Sequence, residues 1–297
     1  MKKLKKHWKK ILLGLSSLLI IVAGLGYWQI RRMGQVTVPE FVEIADNTYA
    51  IAEGMNQSGI YLLVGEEDAI LIDTGNGLSD LPAGIKEITD LPVTVINTHG
   101  HYDHTRGNHY FETVYQSEKD AQVYAEYNTV EKVKEKMDEI SPLIQLLLSA
   151  ENETIYNTPI KEDVLALPES GSFDFAGRNL EIIELPGHTP GSIGLIDDAT
   201  KSVFVGDALT KGGFLLGLEE SLSPETQKET LLKLKELFES GRVTAAYGGH
   251  VNTAMTLEDV EKGLTIVNKI IDGDLTDEEK ESGRISYQGM EVTFKTE

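Results

Sequence analysis

Thr98-His99-Gly100-His101-Tyr102-Asp103-His104 follows the apolar run Val93-Thr94-Val95-Ile96-Asn97. Three of the chain's seven histidines and one carboxylate fall inside six consecutive residues. Neutral imidazole and carboxylate are donors suited to zinc and other borderline divalent metals. Without a cation, imidazoles packed this closely would repel one another once protonated. A plain polar surface turn is therefore a poor account of the run. In extended backbone, residues i and i+2 point to the same side, so His99 and His101 can grip one ion. A helix beginning near Asp103 turns the next two donors, Asp103 and His104, toward a neighbouring position. The spacing predicts two adjacent metals rather than one.

Further along the chain, three more donors follow a common local pattern. His188 lies in Leu185-Pro186-Gly187-His188-Thr189-Pro190-Gly191, after the apolar run 180–185. Asp207 ends Val203-Phe204-Val205-Gly206-Asp207, and His250 ends Tyr247-Gly248-Gly249-His250. Each is a strand-like run, then a glycine that permits close backbone approach, then a donor. A lone Asp after a strand more often caps a helix or turn than binds a metal. Four such sites in one chain point instead to a shared centre.

Taken in order, His-x-His-x-Asp-His, Gly187-His188-Thr189-Pro190-Gly191, Gly206-Asp207 and Gly248-Gly249-His250 resemble the metallo-β-lactamase-fold hydrolases. The resemblance spans about residues 41–271. It implies an α/β fold, an αββα sandwich with the metals at one edge between two sheets. It also implies that His99, His101 and His188 hold a first metal, and that Asp103, His104 and His250 hold a second. Asp207 would bridge the two. Leu71-Ile72-Asp73-Thr74-Gly75 resembles the family's early strand-end motif, which gives Asp73 a structural role under the metal loop. The implied cofactors are two divalent ions, zinc first among them, although manganese and iron accept the same donors. The implied activity is hydrolysis, by hydroxide generated on the metals, of an ester, thioester, lactone or amide, β-lactams included. Asp103 and Asp207 are the catalytic candidates, as proton shuttles. Two alternatives use the same donors: a small-substrate phosphodiesterase, and a non-hydrolytic membrane-tethered metal-binding protein. Many relatives carry Gly-Gly where this chain has Arg106-Gly107, which sets a long cation near the metal rim or pairs it with surface acids. Tyr102, Arg106 and Lys211 are candidates for substrate contact. The bland readings are a Tyr102 packed under the loop and a solvated Lys211.

Composition narrows the setting. The 297 residues carry a formal charge of −21. Eight of the 27 Lys/Arg lie in residues 1–32, which contain no acid, so 19 basic side chains face 48 acidic ones in the rest. Such a surface repels polyanions, so a nucleic-acid partner is not expected. A small-molecule substrate is. The absence of cysteine rules out disulfides and thiolate ligands alike. Residues 1–10 form a basic segment, and residues 11–30 contain no charge. Twenty uncharged residues at helical rise match a hydrocarbon core of roughly 30 Å. Six lysines precede the segment and only Arg31-Arg32 follow it, which keeps the N-terminus cytoplasmic. Residues 11–30 are expected to be a transmembrane signal anchor, holding the hydrolase domain on the extracytoplasmic side of the cell membrane. A cleaved signal peptide is the competing reading.

The expected organisation is a linker over 31–40 and a hydrolase domain over 41–272, with a helical insert at 118–165 near the site. Residues 273–297 are either a closing strand or a tail. Strand-like runs are expected at 41–45, 49–53, 60–64, 69–73, 93–97, 172–175, 180–185, 192–196, 202–205 and 243–247. Helices are expected at 78–89, 118–150, 224–239 and 256–271.

Overall fold

The computed structural model describes residues 38–54, 56–132, 135, 160–175, 178–251 and 253–296. The basic segment 1–10 and the apolar run 11–30 lie outside them, as does most of the stretch from 133 to 159. Among the described residues, no helix is long and apolar enough to cross a membrane.

The chain opens with an antiparallel meander, β1 (Val42–Ala45), β2 (Thr48–Glu53), β3 (Ser58–Val64) and β4 (Ala69–Ile72). Helix α1 (Leu81–Lys86) then crosses over to β5 (Val93–Ile96), which lies parallel to β4. Strands β6 (Thr113–Gln116) and β7 (Leu165–Ala166) extend that parallel edge, completing a seven-stranded sheet in sequence order. The second sheet has the order β13-β11-β10-β9-β8, built from β8 (Ser172–Phe175), β9 (Arg178–Glu184), β10 (Ile193–Asp197), β11 (Ser202–Gly206) and β13 (Ala245–Gly248). A third sheet joins β12 (Gly213–Leu216) to a C-terminal hairpin, β14 (Arg284–Tyr287) and β15 (Met290–Phe294).

Strand alternation sorts the apolar side chains into layers. Leu63, Ile70, Ile72 and Ile96 face inward and meet Leu180, Ile193, Leu195 and Phe204 from the second sheet. Their sequence neighbours Leu62, Leu71 and Val95 face outward and are covered by Leu81 and Ile85 of α1. The outer face of the second sheet buries Val203 and Val205 under α4 (Pro224–Glu239) and α5 (Leu257–Asp272). The order helix, sheet, sheet, helix is an αββα sandwich.

Several expected elements differ in extent. The helix expected over 78–89 is confined to Leu81–Lys86, because the Leu78 N–H is committed to Glu53 Oε1 (3.0 Å) and Asp80 caps the first turn. The helix expected over 118–150 begins as a 3-10 turn, Glu118–Asp120, followed by α3 (Ala121–Tyr127). That helix stops at Asn128, whose side-chain amide donates to the Gly100 carbonyl (3.2 Å). The apolar run 143–148 lies outside the described residues. The last residue of the expected helical insert, Leu165, is strand, and with Ala166 pairs parallel with β6. Residues 273–296 are no loose tail. They hold α6 (Asp277–Ser282) and the hairpin, and Ile285, Met290 and Val292 are buried in the same core as α4 and α5.

Candidate metal centre

Each donor stands where a strand of the sandwich runs out. β4 ends at Ile72, and Asp73 turns back into the structure at φ 59°. Its carboxylate accepts from the Thr98 N–H and the Thr98 hydroxyl (both 2.7 Å) and from His104 Nδ1 (3.0 Å). These bonds lash the residues after β5 to the end of β4. His99 sits in a bend after β5, and His101, on extended backbone, is the N-cap of a one-turn helix, α2 (Tyr102–Thr105). That helix carries Asp103 and His104. His188 follows β9, Asp207 follows β11, and His250 follows β13. Gly249 has to be glycine: a Cβ there would run into the Asp207 carboxylate and the His104 ring.

The seven donors converge. His99, His101 and His188 offer one atom each within 4.8 Å of one another. Asp103, His104 and His250 form a second such group, and His99, His104 and Asp207 a third between them. Asp207 Oδ2 stands 3.1 Å from His250 Nε2 and 3.5 Å from His188 Nε2, so one carboxylate reaches both sides.

The outer nitrogens of the imidazoles decide what the inner ones can do. His101 Nε2 donates to Glu220 Oε1 (2.6 Å), and His188 Nδ1 donates to the Leu215 carbonyl (2.9 Å). His104 Nδ1 donates to Asp73, and His250 Nδ1 donates to the Asn56 carbonyl (2.9 Å). His99 Nδ1 lies 3.1 Å from the Thr98 hydroxyl, whose own hydrogen goes to Asp73, so the histidine is the donor. Every outer nitrogen thus carries a hydrogen, and a neutral ring presents a lone pair inward. Three such lone pairs face one another, with His101 Nδ1 3.1 Å from His99 Nε2 and 3.0 Å from His188 Nε2. A hydrogen bond needs a donor, and none of these three atoms has one to give. A cation bound between them resolves the conflict.

Charge points the same way. Burial, with His104 and His101 nearby, holds His99 well below the usual imidazole range. Burial also pushes His188 down to about 4 against the pull of Asp207. Both are neutral ligands at pH 7. On the acidic side burial opposes charge, but Asp103, Asp207 and Asp73 outweigh it and lift His104 to about 10. His250 is lifted to about 8, chiefly by Asp207. Positive charge is therefore wanted there. Yet the carboxylate oxygens nearest His104 Nε2 stand at 3.5 and 3.8 Å, too far for a good hydrogen bond. His104 Nε2 and Asp207 Oδ1 are both buried without a hydrogen-bond partner. A proton answers the charge but not the geometry, whereas a divalent cation answers both. The donor set fits divalent metal.

Tyr102 is half-buried at the start of α2. Arg106 is buried and donates from Nη1 to the Asn128 carbonyl (3.3 Å). Lys211 forms an ion pair with Asp259 (2.8 Å), part of the cap of α5. Sequence reasoning missed Asp120 and Glu220. Asp120 is fully buried and accepts from the Gly100 and Gly191 N–H groups and the Thr189 hydroxyl, tying two donor loops together. Glu220 accepts from His101 and from the Tyr127 hydroxyl (2.9 Å). Burial opposes its charge, but these bonds and its own N–H hold it at about 2. Neither residue has a local signal, because both lie in ordinary acidic surface-like sequence.

This chain belongs to the metallo-beta-lactamase superfamily, whose family model matches residues 54–250. Within it, the chain is similar to the human acyl-coenzyme A thioesterase MBLAC2, at 28% identity over 213 residues, 68% of this chain and 75% of the relative. It is also similar to the hydroxyacylglutathione hydrolase GloC of Haemophilus influenzae, at 33% identity over 156 residues, 50% of this chain and 64% of that protein. Two solved structures share the fold. One is a metallo-beta-lactamase from Pontibacter korlensis (TM-score 0.54, 17% identity, covering 77% of this chain and 98% of that one). The other is a protein crystallised in a di-iron-bound form (TM-score 0.53, 23% identity, 72% and 97%). The protein is a metal-dependent hydrolase of this superfamily.

Proposed function

We propose that this protein is a membrane-anchored, two-zinc thioesterase acting on small acyl thioesters outside the cytoplasm. The observation that carries the two-ion reading is the inward convergence of lone pairs in two groups that share Asp207. His99, His101 and His188 would hold one ion; Asp103, His104 and His250 the other. When bound, the ions supply a water ionised near neutral pH and a Lewis acid for the carbonyl oxygen. The chain's own residues do the rest. Asp73, Glu220, the Leu215 and Asn56 carbonyls and the Thr98 hydroxyl keep the five imidazoles facing inward. Asp103 keeps part of its carboxylate exposed and accepts from Asn56 Nδ2 (2.8 Å), which leaves it an oxygen to pass a proton to a departing thiolate.

The thioester preference is supported by the relatives, named for acyl-coenzyme A and hydroxyacylglutathione hydrolysis. The excess of acidic over basic side chains, 48 against 27, favours substrates whose carriers bear little negative charge. Zinc suits nitrogen and oxygen donors in a site free of thiolate. The anchor rests on the uncharged run 11–30 between six lysines and Arg31-Arg32.

The test is a substrate panel on the full chain, with metal content measured on the same sample. Turnover of short-chain acyl thioesters, abolished by chelation and restored by zinc, is the expected result. Turnover of bis-p-nitrophenyl phosphate without any thioester, ester or lactone activity would overturn the reading, as would bound metal with no turnover at all.

A further inference from the structure

Among the five imidazoles of the centre, His101 differs: it offers Nδ1 inward, whereas the other four offer Nε2. We propose that Glu220 is a positioning residue that dedicates His101 to the first metal position, so that its loss weakens binding at that position and spares the second. The proposal rests on the two-ion reading above.

A carboxylate can only accept, so the 2.6 Å contact between Glu220 Oε1 and His101 Nε2 places the hydrogen on Nε2 and leaves the lone pair on Nδ1. An imidazole that donates to a carboxylate is also a more basic ligand. Glu220 is itself fixed from two directions. The Tyr127 hydroxyl donates to its other oxygen at 2.9 Å, and the Tyr127 ring lies against the His101 ring, with centroids 4.4 Å apart. Behind it, Lys295 Nζ donates to the carbonyls of Glu219 (2.9 Å) and Ser221 (2.7 Å), holding the turn to the C-terminal hairpin.

The same turn serves a second ligand of the same ion. The Leu215 carbonyl accepts from His188 Nδ1, and the Ser221 hydroxyl donates to the His188 carbonyl (3.0 Å). The outer nitrogens of His104 and His250 are held elsewhere, by Asp73 and Asn56. Residues 215–221 therefore fix two of the three ligands of the first position and neither imidazole of the second. That division makes the predicted effect selective.

The experiment measures zinc per full-length chain across a series of buffered free-zinc concentrations, together with nitrogen NMR of the His101 ring in zinc-free protein. Wild type should bind two ions, with the His101 hydrogen on Nε2. Glu220→Ala should keep one ion at wild-type affinity, weaken the other by about 10–100-fold, and leave His101 as a mixture of tautomers. Glu220→Gln retains an acceptor for Nε2–H and should fall between the two. Tyr127→Phe should shift the same ion in the same direction by less, and these two milder variants decide the matter if the alanine variant fails to fold. Two ions bound by Glu220→Ala at wild-type affinity would overturn the proposal. So would equal weakening of both ions, which marks a general scaffold defect. A wild type that binds fewer than two ions refutes the two-ion reading instead, and the His101 tautomer in wild type and Glu220→Gln then decides the role of Glu220 separately.

Discussion

Asp120 shows how one buried carboxylate can govern the loops that carry the donors. Both of its oxygens are spent on donors from the loops that carry His99 and His188, through Gly100, Gly191 and Thr189. Burial raises its carboxyl, and these three bonds oppose the rise. Asp120→Asn replaces one accepting oxygen with a donating NH2 that faces other donors. The variant should lose about 1–3 kcal/mol of stability and bind zinc more weakly; denaturant unfolding with and without zinc checks both. The seven converging His and Asp residues were legible in the sequence because donor chemistry belongs to the side chain and their spacing is local. Asp120 and Glu220 were not, since what distinguishes them is the loop that folds against them. Lys211 and Arg106 show the converse. Their cations look available in the sequence, but one is spent on Asp259 and the other is buried, donating to the Asn128 carbonyl.

At the scale of elements, the two sheets are stitched at one edge by Arg178 of β9. Its guanidinium donates to Asp197 of β10 (Nη2 to Oδ2, 2.6 Å), to the Thr48 hydroxyl (2.6 Å) and to the Asn47 carbonyl (3.0 Å) at the start of β2. Burial opposes the charge of Asp197, but Arg178 and Thr200 outweigh it and hold the carboxyl below its usual range. A carboxyl lowered in the folded state adds stability that is complete above its unfolded pKa, about 3.9, and is lost as pH falls through the lower folded value. Arg178→Met leaves a buried charge unpaired and should cost about 3–5 kcal/mol at pH 7. The gap between variant and wild type should narrow as pH drops from 6 toward 3, where protonation of Asp197 relieves the variant; melting temperatures across that range test it. A gap that stays constant with pH would remove Asp197 from the account. Helix α4 was fully legible, since Ser223 caps it, Pro224 opens it and its apolar face repeats at helical spacing. Strands β6, β7 and β12 were not: each is two to four residues long, and each is a strand only because a distant partner pairs with it.

For the whole molecule, the proposed anchor poses a question of sidedness. If residues 11–30 hold the body outside the cytoplasm, protease added to intact cells should remove the body and spare the N-terminal segment. Protection in intact cells followed by digestion after lysis would reverse the assignment. The sandwich itself was legible from the order of its motifs, since the donors recur after strand-like runs in the sequence expected of the superfamily. The last residues were ambiguous because the hairpin β14–β15 is fixed by parallel pairing between β15 and β12. That pairing and Lys295, which donates to the Glu219 and Ser221 carbonyls, tie the C-terminus to the turn that carries Glu220. By itself, the sequence determined which atoms could bind metal, that they would cluster, and the layered fold that gathers them, because side-chain chemistry and apolar alternation are local properties. Only the tertiary structure decided which nitrogen of each histidine faces inward. That choice belongs to acceptors up to about two hundred residues away in the chain, such as Asn56 for His250, and only folding brings them within hydrogen-bonding distance.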